Sequence, residues 1–175
     1  MANQQQVELL KQGIANWNTW RKEHPETEPD LNEADLTGVI LNGADFVRAN
    51  LSGAKLSAVD LTGADLSGSN LVGANFDNAI LHAANLTRAD LSGASLQKTD
   101  LTEAVLKDAM LLDANLQDAD LAGANLGDAD VTNALFKVAN LKGTLITAEQ
   151  LKKTRPPEDI PYFQGVSWEG VIDKP

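Results

Sequence analysis

Cysteine is absent from the 175 residues of this chain. The sequence therefore holds no disulfide, no cysteine nucleophile and no cysteine-based metal site. No apolar run reaches the roughly 18 residues of a transmembrane helix, so we expect no insertion into a membrane. The first residues, MANQQQ, lack the basic and apolar regions of a secretory signal. These absences lead us to expect a cytoplasmic protein.

Basic residues are scarce as well, with 14 Lys and Arg against 25 Asp and Glu and a net charge of −11. Direct binding of nucleic acid needs clustered Lys and Arg, so the charge balance argues against it. The two histidines, His24 and His82, have no Ser or Asp constellation nearby in the sequence and are expected at the surface. No phosphate loop or dinucleotide fingerprint is present, and we expect neither a cofactor nor an enzyme.

A period of five residues dominates the sequence from Pro29 to Ala148. A large apolar residue recurs at every fifth position, from Leu31 to Ile146, and a small residue, most often Ala, stands two positions before it. The period covers 24 consecutive pentapeptides without an insertion or a deletion. Positions five apart rotate by about 140° on an α-helix, so the apolar residues would not share one face of it.

The apolar residues that recur every five positions can all be buried only if the chain turns by a fixed angle once per pentapeptide. A quarter turn closes a square after four units, although the period alone also permits three or six sides. The residue between the two inward ones is mostly Asp or Asn, which suits tight turns. Gly, or else Asp or Asn, recurs two positions after the large residue and predicts a positive φ there.

The pattern Ala-Asp/Asn-Leu-x-x resembles the pentapeptide-repeat family over about 120 of the 175 residues. Residues 64–68, ADLSG, and 124–128, ANLGD, are close to the family pattern. The resemblance implies an all-β solenoid, a right-handed quadrilateral β-helix with four pentapeptides per coil. The chain would then form about six coils, a rod about 29 Å long at a spacing of about 4.8 Å. The leader, WNTWR at residues 17–21, is similar to the cap of many cyanobacterial members.

We divide the chain into a capping helix and connection (1–28), the repeat block (29–148) and a C-terminal cap and tail (149–175). The spacing of apolar residues predicts one amphipathic helix over residues 1–24, which covers the first coil and is stopped by Pro25. Its capping residues are Val7, Leu10, Ile14, Trp17 and Trp20.

At the C-terminal end, Thr147 and Gln150 form a predicted capping box that opens a helical turn to about Lys153. Residues 158–175 are rich in apolar side chains, and we expect part of them to fold over the last coil or along one face.

Carboxylates are abundant, but their spacing defines no catalytic or metal site. Asp100 and Asp120 would lie one coil apart, about 5 Å, as in a retaining glycosidase. The repeat produces other such pairs, for example Asp45 with Asp65, so the spacing carries little weight. The calcium-binding loop patterns are absent. We predict no catalytic, cofactor or metal residues.

The candidate partner surface consists of residues that depart from the repeat pattern. At six positions an apolar residue replaces the expected Asp or Asn, and a seventh apolar residue lies beside one of them; the seven are Ile40, Ile80, Val105, Met110, Leu112, Leu135 and Leu145. One interpretation is tolerated substitution, partly covered by the leader or tail. The other is a binding or dimer patch in the C-terminal half. The sequence does not decide between a monomer and a homodimer.

Two functions are consistent with these features. The first is a non-enzymatic, rigid scaffold that binds an unidentified protein partner. The second is DNA mimicry, because some members of the family resemble duplex DNA and act on DNA gyrase. Residues 29–148 carry 16 acidic and 7 basic residues, which favours mimicry, whereas Lys55, Lys98, Lys107, Lys137 and Lys142 interrupt the acidic field.

Overall fold

The computed structural model describes residues 2–155 of the chain. Within this range, 20 parallel β-bridges each join a residue to the residue twenty positions later, from Asp30↔Asn50 to Asn125↔Leu145. The chain therefore returns to the same side after every four pentapeptides, which selects the square from the shapes that the period permits.

The four sides are named by the residues that form their bridges. Side 1 carries residues 30, 50, 70, 90, 110 and 130; side 2 carries 35, 55, 75, 95, 115 and 135. Side 3 carries residues 40, 60, 80, 100, 120 and 140; side 4 carries 45, 65, 85, 105, 125 and 145. Side 1 thus lies opposite side 3.

A β-turn at each corner sets the change of direction. The N–H of each small inward residue donates to the carbonyl three residues earlier, as Ala64 does to Leu61 at 2.9 Å. The residue before that donor has a positive φ in every turn, whether it is Gly63 at 64° or Asp118 at 59°. The predicted positive-φ positions are confirmed, and the strain is greatest at Val138 (φ 60°), because a β-branched residue rarely adopts this conformation.

The inward residues fill the rod completely. The large residues from Leu31 to Ile146 are all buried, and so are the small residues between them, with Val39 half-buried. Ser69, Thr99 and Thr144 replace Ala inside the rod, and each hydroxyl donates to a backbone carbonyl, as Thr99 Oγ1 does to Phe76 O at 2.9 Å. No hydroxyl in this interior is therefore left without a partner, which is the condition for burying a polar group at low cost.

The N-terminal segment is two helices and not the single helix predicted from the sequence. Helix α1 spans Gln4–Lys11 and helix α2 spans Ile14–Glu23. Gly13, at φ 114°, separates them in a conformation that side-chain-bearing residues avoid. The apolar spacing continues through the break because both helices pack on the same coil: Val7, Leu10 and Trp17 are buried, while Ile14 and Trp20 are half-buried.

At the other end, helix α3 spans Ala148–Leu151 and confirms the predicted capping box of Thr147 and Gln150. Gln150 Nε2 donates to the carbonyls of Leu126 (2.7 Å) and Ala129 (2.9 Å) in the last coil. Arg155 N–H donates to Ala134 O, so the chain enters the register of a further coil at this point. The predicted packing of residues 158–175 falls outside the described residues.

Candidate interaction surface

The outward position of each pentapeptide is a hydrogen-bond acceptor for its own turn. At all 16 bridge positions that hold Asp or Asn, the side-chain Oδ1 accepts the backbone N–H two residues later, as Asp60 does from Thr62 at 2.9 Å. The preference for Asp and Asn is therefore structural, and acidity follows from it.

Hydrogen bonding lowers the pKa of two of these carboxylates, Asp35 and Asp130, and of Glu149 in helix α3. The Thr37 side chain and backbone lower the pKa of Asp35, with a smaller contribution from Lys55. The Thr132 hydroxyl lies 2.6 Å from Asp130 Oδ1 and is the largest cause of the lowered pKa of that residue. In helix α3, the ammonium group of Lys152 lowers the pKa of Glu149.

Apolar residues at the outward position cannot accept this bond. Four of those predicted from the sequence are exposed: Ile40 by 68%, Ile80 by 42%, Met110 by 42% and Val105 by 36%. Leu112, Leu135 and Leu145 are half-buried. The sequence interpretation missed two further exposed apolar residues, Val72 (41%) and Val138 (48%), because it examined mainly the bridge position.

The structure does not gather the seven predicted residues into one patch. Ile40 and Ile80 share side 3 with Asp60 between them, and Val105 and Leu145 share side 4 with Asn125 between them. Met110 lies on side 1, with Leu112 two residues after it, whereas Leu135 lies on side 2.

Two of the departures are explained by the C-terminal segment. Leu145 cannot accept from Thr147 N–H, but Gln150 Oε1 does so at 2.9 Å. Leu145 also lines a groove of about 330 Å³ with Lys107 and Gly127, below helix α3. Leu135 follows Ala134, the residue to which Arg155 is paired. Both leucines are therefore at the end of the rod, next to residues 147–155.

Side 1 carries three apolar residues that are exposed or half-buried, which we call the apolar strip and define as Val72, Met110 and Leu112. Val72 and Leu112 occupy equivalent positions two coils apart, and Met110 lies in the same pentapeptide as Leu112. The corner beside Val72 is glycine in three successive coils (Gly53, Gly73 and Gly93), whereas Asp113 occupies the corner beside Leu112, and a Cβ added at Gly73 or Gly93 would meet nothing within 4 Å. A partner can therefore approach the Val72 end of the strip closely from this corner.

The two histidines and the pair Asp100 and Asp120 each have a hydrogen-bond partner within the fold. His82 Nδ1 lies 2.8 Å from Thr102 Oγ1, and His24 Nδ1 lies 2.9 Å from Trp20 O. Asp100 and Asp120 are bridge partners on side 3, and each accepts the hydrogen bond of its own turn. Among residues 2–155, no three His, Cys, Asp or Glu side chains come together as a possible metal site. In the same range, no helix is long and apolar enough to cross a membrane.

These features define a repeat protein: a square β-solenoid with a regular interior and sparse apolar departures outside. A family model described as pentapeptide repeats matches residues 30–147 in eight copies. The chain belongs to this family, and its fold is the right-handed quadrilateral β-helix.

Solved structures of pentapeptide-repeat proteins are similar to this chain. HetL of Nostoc sp. strain PCC 7120, which is involved in the regulation of heterocyst differentiation, is 38% identical over 59% of this chain and 60% of its own, with a TM-score of 0.39. The match thus spans less than two thirds of HetL. Protein alr5209 of Nostoc PCC 7120 is 34% identical over 70% of this chain and 82% of its own, with a TM-score of 0.38.

QnrB1, a plasmid-mediated fluoroquinolone resistance protein, is 22% identical over 78% of each chain, with a TM-score of 0.45. No curated protein matches the chain.

Proposed function

We propose that this protein is a non-enzymatic scaffold that binds another protein through the apolar strip on side 1. It is a rod of six coils, with helices α1 and α2 as the cap at one end and helix α3 at the other. The observation that supports the role is Met110, an exposed apolar residue where the turn would be better served by Asp or Asn. A residue that gives up a local hydrogen bond without a compensating contact is a candidate for function.

The strip has the composition of a small interface centre. Methionine adapts its shape to a partner, and Leu112 and Val72 extend the apolar area along the rod. The polar neighbours Asn70 and Asp90, on the same side, supply a rim that stays hydrated in the free protein. The rigid backbone places these groups in advance, so little conformational entropy is lost on binding.

The test compares the wild-type protein with Met110→Asn in affinity capture, followed by crosslinking that maps the contact. Asn restores the acceptor for Leu112 N–H, so the variant stays folded while the apolar contact is lost. Ile80→Asn makes the same change on the opposite side and is the matched control. We expect capture and side 1 crosslinks to fall with Met110→Asn only. Equal capture by all three proteins contradicts a binding role for the strip.

DNA mimicry is the second candidate function, and the net charge of −9 over residues 29–148 favours it. A gyrase supercoiling assay tests it, because a mimic competes with DNA and its effect weakens as salt screens the charges. Unchanged supercoiling at micromolar concentrations of the protein, at low salt, excludes this role.

A further inference from the structure

The first coil exposes a row of backbone groups that inner coils use for pairing. In each inner coil, the bridge residue pairs with the preceding coil through both its N–H and its C=O. Asn50 shows the pattern: its N–H donates to Pro29 O at 2.8 Å and its carbonyl accepts from Leu31 N–H at 2.8 Å. The corresponding groups of Asp30, Asp35, Ile40 and Asp45 have no preceding coil to meet, so other partners are needed.

The two N-terminal helices supply these partners on sides 1 and 4. Asp30 N–H donates to Gln6 Oε1 at 2.7 Å, and Asp30 O accepts from Asn3 N–H at 2.8 Å. Asp45 N–H donates to Asn18 Oδ1 at 3.0 Å, and Asp45 O accepts from Trp17 Nε1 at 2.8 Å. The N–H and C=O groups of both bridge residues on these sides, Asp30 and Asp45, are thus hydrogen-bonded.

Sides 2 and 3 have no such cover within residues 2–155. There the N–H and C=O groups of Asp35 and Ile40, and the carbonyls of Thr37 and Asn42, make no hydrogen bond. Among residues 2–155, Ile40 is also the most exposed of the large apolar residues, at 68%. Natural sheet edges are normally protected by charge, proline or a covering segment, and an exposed isoleucine beside free backbone is the opposite arrangement.

The large core residues of sides 2 and 3 are buried even though the backbone edge of these sides is uncovered. Leu36 and Leu41, the large inward residues of these two sides, are already fully buried, and the small one, Val39, is half-buried. A groove of about 250 Å³ runs beside the edge and is lined by Gln4, Val7 and Asp35 among others. A Cβ added at the Gly38 corner would meet nothing within 4 Å, so a chain can pass round the corner between the two sides.

We propose that this open edge, formed by Asp35 and Ile40, binds an extended segment of a partner protein by strand addition. The segment carries a basic residue opposite Asp35 and a β-branched residue opposite Ile40. The proposal extends the proposed scaffold function to a second surface, at the end of the rod, and rests on backbone groups that the apolar strip does not share.

The two side-chain positions follow from the ladder geometry. Residues in a bridge have their side chains next to each other, and opposite charges or β-branched pairs are the favourable combinations. Lys55 approaches Asp35 from the following coil at 3.5 Å, with both side chains mostly exposed, so a cation from the partner can approach from the open edge. Asp35 and Ile40 are five residues apart. A partner segment that follows the corner therefore has its basic and its β-branched residue five positions apart, with glycine at the turn between them.

The probe is a synthetic octapeptide, TKTSGTVT, which has lysine and valine at this spacing and glycine at the corner. In the full-length protein, we expect the amides of Asp35 and Ile40 to exchange rapidly with solvent, whereas those of Asp30 and Asp45 are protected. Saturating peptide should slow exchange at Asp35 and Ile40 at least tenfold in NMR spectra. Replacing the threonine that follows the valine of the peptide by proline removes the N–H that donates to Ile40 O and should abolish the effect.

Matched variants separate strand addition from nonspecific binding. Ile40→Asn should remove the peptide effect, whereas Ile80→Asn, on the same side but in a paired coil, should retain it. Asp35→Lys should weaken binding of the lysine peptide and restore it for TETSGTVT. Protection of Asp35 and Ile40 in the free protein, no slowing with peptide, or equal effects of the two isoleucine variants overturns the proposal. Met110 is untouched in each of these proteins, so failure here leaves the apolar strip unaffected.

Discussion

Replacing Ile80 by Asn or by Asp separates the turn hydrogen bond from the charge of the acidic ladder. Ile80 lies between Asp60 and Asp100 on side 3. Either replacement supplies an acceptor for the N–H of His82, as Asp100 does for Thr102 at 2.9 Å. This bond contributes about 1 kcal/mol. Both variants lose the same packing of the isoleucine, so the difference between them reports the charge.

The charge costs about as much as the hydrogen bond contributes. Neighbouring coils are about 4.8 Å apart. Two unit charges at that distance repel by about 0.9 kcal/mol in water. The Asp variant has two such neighbours, and screening at 0.15 M salt roughly halves the repulsion. An Asn avoids it and can also donate to a neighbouring carboxylate, as Asn140 Nδ2 does to Asp120 at 2.9 Å.

We therefore expect Ile80→Asn to be more stable than Ile80→Asp by about 1 kcal/mol at 0.15 M salt and about 1.5 kcal/mol at 0.01 M. Thermal melts at both salt concentrations measure this as a difference in Tm of a few degrees, since about 1 kcal/mol corresponds to about 2–4 °C at this chain length. Equal melting temperatures at low salt would falsify the stacked-carboxylate geometry of side 3.

Three further predictions follow from the turns and the interior. Val138→Asn should stabilise the protein by about 1 kcal/mol in thermal melts, because a left-handed backbone costs valine about 1–2 kcal/mol; a lower Tm contradicts it. Ala84→Leu should destabilise more than Asn85→Ala, since Ala84 is fully buried in a filled tube, whereas Asn85 loses only surface hydrogen bonds; urea melts rank the two. Asp130 has a lowered pKa, so its stabilising effect is full above the ordinary value of 3.8 and is lost as the pH falls through the lower folded value. Thr132→Val should therefore reduce the acid dependence of stability, and unchanged acid melts would rule this out.

The interior was predictable because one geometric rule fixes it. Every fifth residue must be large and the partner two before it small, and the buried residues from Leu31 to Ile146 follow that rule. The number of sides was not predictable from the period itself, since three, four and six sides all bury the same residues. The twenty-residue spacing of the bridges selects four.

The ends were less predictable because polar side chains determine them. The apolar spacing from Val7 to Trp20 passes through Gly13 without a visible break, although the backbone changes direction there. The polar contacts of Asn18 and Arg21 with the first coil have no periodic signal. They can be recognised only when the carbonyls of the first coil that have no preceding coil are located in space; Val47 O, which accepts from Arg21, is one of them.

The candidate partner surface could also be predicted only in part from the sequence. The sequence identifies which residues break the repeat but not which of them share a side, since that requires the coil length. It also treats Met110 and Leu145 as equivalent, although Gln150 replaces the missing acceptor at Leu145. Val72 was detectable in principle, because it occupies the position of Leu112 two pentapeptide coils earlier.

Two of the remaining departures, Met110 and Ile40, lie on opposite sides of the rod, and this has a consequence for binding. Met110 lies on side 1, and Ile40 lies on side 3 at the edge of the first coil. A partner on the apolar strip therefore leaves the open edge accessible, and the coils between them form one regular ladder rather than an element with two discrete arrangements. Two partners should bind independently, so the protection of the Ile40 amide by the peptide should be the same with the strip intact and with Met110→Asn. A change in peptide affinity between these two proteins would show that the sites are coupled and that the rod is not the passive scaffold proposed here.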